Sequence, residues 1–91
     1  MNHILDIQDK YFNDIKTGIK TFEIRRNNRN YLIGDDLTLV NLETNESIIK
    51  TITYITDISI YNINDILILG IKWKQEKNLT TIITTTNLII W

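Results

Sequence analysis

A chain of 91 residues holds one domain and no second, because a single hydrophobic core takes most of such a length. Apolar residues make up 43% and charged residues 23%, ordinary globular usage that excludes wholesale disorder and fibrous repeats. Ten Lys/Arg against 11 Asp/Glu leave a net charge of -1, which argues against coating nucleic acid by bulk charge but leaves room for a local basic site. The absence of Cys excludes disulfides, zinc-thiolate sites and thiol nucleophiles, and the single His leaves little for a metal centre, so neither metal nor cofactor is expected. A reducing cytoplasm is the expected home. The longest apolar run, residues 66–71, is six long, and the start of the chain is polar at Asn2, His3 and Asp6, so no membrane or targeting segment is expected. Twenty Ile and 11 Asn with no Pro are the bias of an AT-rich genome, as in a low-GC bacterium or its phage.

In chain order, Ile4, Leu5 and Ile7 predict a short strand, with Asp6 or Asp9 as the cap of a following helix. Tyr11, Phe12 and Ile15 then fall on one helical face over residues 9–17, and Gly18 ends the helix as a left-handed cap. Beyond it the period changes to two: over residues 20–26, Phe22 and Ile24 are expected to be buried, with Thr21, Glu23 and Arg25 on the opposite face. Residues 26–30 read as a polar loop, Tyr31 to Ile33 resume apolar character, and Gly34-Asp35 signals a turn before a strand starting near Asp36.

A turn is expected at residues 43–46 and a strand over residues 48–56, where β-branched residues alternate. Residues 57–65 follow neither period and read as a loop or one weak helical turn. Residues 66–71 read as a fully buried strand running out to the surface at Lys72, Trp73 and Lys74. Residues 75–78 read as a polar turn, and the Thr- and Ile-rich residues 79–91 suit a strand or strand pair. The fold class is therefore α+β and β-rich: a small barrel or curled sheet of five to six strands with one N-terminal helix, spanning residues 1–91 as a single domain in which residues 75–91 form a C-terminal strand extension.

The only three Arg residues, Arg25, Arg26 and Arg29, fall within five positions and offer forked donors for phosphate or carboxylate, or else a solvated edge with Arg25 paired to Glu23. Lys20, Glu23 and Arg25 bring two cations and a carboxylate together. His3 is either a base or a structural residue. Asp35 and Asp36 either bind a divalent cation or satisfy their own turn. Trp73, Tyr54 and Tyr61 either stack on bases or pack in the core.

Gly18-Ile19-Lys20-Thr21-Phe22-Glu23-Ile24-Arg25 resembles the Gly-x-Lys-x-x-Glu-x-Arg signature of the ASCH superfamily, whose domains share the PUA-like β-barrel. His3 with Leu5, the aromatic pair Tyr11-Phe12, Asn27-Asn28-Arg29, Tyr31 and Gly34-Asp35 resemble more closely its DUF3850-type branch of bacterial and phage proteins. The likeness is good over residues 3–40 and looser over the strands at 52–55 and 67–71. Asn28 stands where that branch usually has Asp, Asn41 where it often has Glu, and a Tyr-Thr-Gly is missing around residues 47–51. The resemblance implies an RNA- or nucleotide-like ligand in a cleft lined by Lys20, Glu23 and Arg25, with His3, Arg29 and Asp35 as further ligand-binding candidates.

Three functions follow as expectations. The first is a binding module for a single-stranded RNA segment or nucleotide, in which cations meet phosphate and Glu23 accepts from a base or ribose. The second is an amidohydrolase acting on N4-acetylcytidine, with Lys20 and Glu23 as catalytic residues. The ASCH proteins with that activity carry a Thr at the position of Glu23. The third is a phage-type interaction protein whose apolar tail pairs with a host protein or with a second copy as a homodimer.

Overall fold

The computed structural model describes residues 1–75. The chain runs through β1 (Asn2–Ile7), α1 (Asp9–Lys16), β2 (Phe22–Arg26), β3 (Asp36–Asn41), β4 (Ser47–Ile58), a single 3-10 turn (Ser59–Tyr61) and β5 (Ile63–Trp73). The strands form one sheet in the order β1-β3-β4-β5-β2, curled into a half-barrel, with β1 parallel to β3 and every other pair antiparallel. This is the expected β-rich α+β fold with one helix, open rather than closed. The strand expected over residues 79–91 lies outside the described residues.

Period-two alternation builds the core. Leu5 and Ile7 from β1, Leu37 and Leu39 from β3, Ile48 and Ile52 from β4, and Leu69 and Ile71 from β5 are buried, and α1 adds Phe12 and Ile15, both fully buried. One residue on a helix turns the side chain by about 100°, so Tyr11 leaves that face and stands half-exposed instead of joining Phe12 and Ile15. Neither Asp6 nor Asp9 caps the helix: Gln8 occupies the N-cap position without a side-chain bond. Asp9 is the first helical residue, and its carboxylate accepts from Asn13 Nδ2 at 3.2 Å and from Asn41 Nδ2 at 2.8 Å. The helix ends as expected at Gly18, whose φ of +86° is open to glycine at little cost.

In β4 and β5 one expectation holds only in part and one fails: the 3-10 turn Ser59–Tyr61 is the weak helical turn expected within residues 57–65, but strand flanks it on both sides. Residues 57–65 belong to the hairpin, because β4 runs on to Ile58 and β5 begins at Ile63, with Asn62 in the left-handed conformation closing the turn. The long hairpin reaches past the helix and the other strands, so residues 66–71 are not fully buried: only Leu69 and Ile71 are, and Ile66, Leu67 and Ile68 are half-buried. The two strands lie close where Tyr54 faces Gly70 beside an irregularity between Ile52 and Tyr54, since a Cβ on Gly70 would stand 3.0 Å from that of Tyr54.

No helix among the described residues is long and apolar enough to cross a membrane. Phe12 is the largest side chain sealed between helix and sheet. Phe12→Ala should therefore lower the unfolding free energy by about 3–5 kcal/mol in a urea titration followed by circular dichroism. A loss below 1 kcal/mol would mean that α1 is not docked as described.

Candidate functional site

The half-barrel leaves β1 and β2 as its two edges, and the gap between them is bridged by one side chain. On β1 the carbonyls of Met1 and Ile7 accept from Asp36 and Leu42 on the β3 side, so the carbonyl of Asp6 points the other way, into the gap. Arg25 Nη2 donates to it at 2.8 Å. The same guanidinium donates through Nε to Glu23 Oε2 at 2.6 Å, and Lys20 Nζ donates to Glu23 Oε1 at 3.3 Å. Glu23 is only 5% exposed, a carboxylate held inside by two cations.

This reverses the faces expected for β2. Glu23 and Arg25 turn inward, and Phe22 and Ile24 stand exposed at 40% and 52%. Alternation separates two faces without saying which is inner, and here paired charges at an open seam take the inner one while the apolar pair lies outside. Lys20 shares the cleft with Glu23 although they are an odd number of positions apart, three, because Lys20 precedes β2. Its backbone N–H donates to the Asp14 carbonyl at 2.9 Å, so the chain is still turning under the left-handed Gly18.

Around the trio lies a cleft of about 450 Å³, inside the range of about 300–1,000 Å³ usual for small-molecule sites. Asp6, Ile7, Gln8 and Tyr11 form one wall, and Phe22 and Ile24 the other. Tyr11 and Gln8 were missed from the sequence, since only the helix position brings them to the seam.

His3, Arg29 and Asp35 do not line it. His3 Nε2 and Asp35 Oδ2 are 2.8 Å apart in the interior, where the His3 ring meets the buried Tyr31 ring at 4.7 Å. Arg29 Cζ lies 5.9 Å from the Tyr31 centroid on the outer side, giving a stack of Asp35, His3, Tyr31 and Arg29. Burial raises the Tyr31 pKa, opposed by the nearby charges of Arg29 and Arg25. Asp35 also accepts from the Leu32 backbone N–H at 3.0 Å, which makes it a turn residue. Asp36 accepts from Thr51 and Lys74. Tyr54, Tyr61 and Trp73 are exposed and outside the cleft, Trp73 lying over the Lys50 ammonium at 3.8 Å. Lys50 is buried on the inner face of β4, and burial lowers its pKa.

Residues 2–71 match the family described as "domain of unknown function (DUF3850)". The chain belongs to that family. No curated protein matches it. The matched span holds Gly18, Lys20, Glu23 and Arg25 together with the whole described sheet up to Ile71.

The hydrogen bond from His3 holds the Asp35 carboxyl down at about 2, aided by the Leu32 N–H. Because the unfolded chain takes up that proton first, near pH 4, the contribution of Asp35 to stability should be fully present above about pH 4 and be lost as the pH drops toward 2. Asp35→Asn should flatten that acid limb in melting curves taken from pH 2 to 6. An unchanged limb would assign it to other carboxyls.

Proposed function

We propose that this DUF3850 domain is an RNA- or nucleotide-binding module of the ASCH, PUA-like type, holding its ligand in the seam cleft by Lys20, Glu23 and Arg25. One observation carries the reading: the four fixed residues of the Gly-x-Lys-x-x-Glu-x-Arg signature serve a single place. Gly18 makes the turn, Lys20, Glu23 and Arg25 converge in the cleft, and Arg25 also spans the open seam. Two cations around one buried carboxylate offer donors to phosphate and an acceptor to a base or ribose. The near-neutral chain suits a pocket for one or a few nucleotides rather than a long groove.

Lys20→Ala should weaken the binding of a short single-stranded RNA by about 1–3 kcal/mol in a fluorescence-polarisation titration at low salt, with little loss of stability because Glu23 keeps Arg25. Arg29→Ala, beside the cleft, should show the same range at intact stability if phosphate extends past Tyr31. Unchanged RNA affinity in Lys20→Ala and Glu23→Ala would remove the cleft from the reading.

The hairpin tip favours a second reading, a protein-interaction domain, because Ile60 and Tyr61 are 84% and 75% exposed at the end of β4 and β5. Under that reading Ile60→Glu with Tyr61→Glu should abolish retention of a protein partner and leave the cleft untouched.

A further inference from the structure

Two of the cleft's walls are aromatic, and the Lys20 ammonium lies near both rings. Tyr11 stands on the α1 side and Phe22 on the β2 side, both with about two-fifths of their surface open. They face one small volume, since the Lys20 ammonium lies 4.6 Å from the Tyr11 centroid and 5.2 Å from the Phe22 centroid. Core packing does not account for either. Tyr11 leaves the face that buries Phe12 and Ile15, and Phe22 stands on the outer side of β2. The ammonium in that volume has a long bond to Glu23, 3.3 Å, whereas Arg25 holds the other oxygen at 2.6 Å.

Resting on the nucleotide reading of the cleft, the geometry points to a nucleobase subsite: a planar base stacks against Tyr11 and Phe22, and Lys20 swings out of the slot to meet the phosphate of the same nucleotide. Exposed aromatic faces suit a planar π-ligand, and stacking tolerates any base because every base has a π-face. Arg25 does not move in this scheme, being tied to both Glu23 and the Asp6 carbonyl. Glu23 Oε1, released by Lys20, is then left to accept from a base N–H or a ribose hydroxyl.

The test uses cytidine 5′-monophosphate, adenosine 5′-monophosphate and ribose 5-phosphate with the full chain. Stacking is worth about 1–3 kcal/mol per base, so Tyr11→Leu and Phe22→Leu should each weaken both nucleotides about tenfold and leave ribose 5-phosphate unchanged, while Phe22→Trp retains nucleotide affinity. In the unaltered protein the base protons should shift upfield in the NMR spectrum on binding, a readout independent of whether a variant folds. Nucleotides that bind the wild type without that shift, and bind the leucine variants equally well, would overturn the slot and leave the cleft reading standing. A wild type that binds neither nucleotide nor ribose 5-phosphate would overturn the cleft reading and the slot with it.

Discussion

Arg25 is the residue on which the open seam depends. A half-barrel with unmatched edges must either hydrate its free backbone groups or supply them with side chains, and Arg25 does the second by donating to the Asp6 carbonyl on the opposite edge. The guanidinium is itself kept inside by Glu23, and Glu23 tolerates burial because Lys20 and Arg25 both bind it. Edge spacing, cleft charge and the inward turn of β2 therefore follow from one small ionic network.

Apart from that network, Asp35, His3 and Tyr31 form a second buried polar group. None of the three lines the cleft, each is buried, and among the described residues no buried side-chain polar atom lacks a partner. The His3 ring is ordered by Asp35 on one side and by the Tyr31 ring on the other. Its position on the inner face of β1 follows from strict alternation with Leu5 and Ile7.

Much of this was legible in the sequence. The helix with its stop at Gly18, the first strand, the strands after Gly34 and Glu46, and the nearness of Lys20 to Glu23 could all be read from period, turn residues and signature. The facing of β2 could not. Hydrophobicity assigns Phe22 and Ile24 to the core, and only the seam, a feature of sheet topology, turns Glu23 and Arg25 inward. For the same reason the sequence reads Tyr11 as core, and the separation of His3, Arg29 and Asp35 from the cleft is not written in local spacing. The hairpin was hidden because residues 57–65 contain Asn and Asp at positions that look like breakers but lie on an exposed extension.

The sheet order also has a bearing on how the domain assembles. The two lips of the cleft come from the first third of the chain, but each is anchored only by distant partners: Asn2 pairs with Asp36, and Phe22 with Gly70. Neither lip touches the other through a ladder, so the early part of the chain must await β3 and β5 before either is in place. Such non-local pairing belongs to the slower class of small-domain folding, in milliseconds to seconds. The antiparallel β3-β4-β5 meander, joined by short turns, is the natural scaffold on which both lips settle. The surface of the cleft therefore depends on pairing partners that the chain supplies only later in its length.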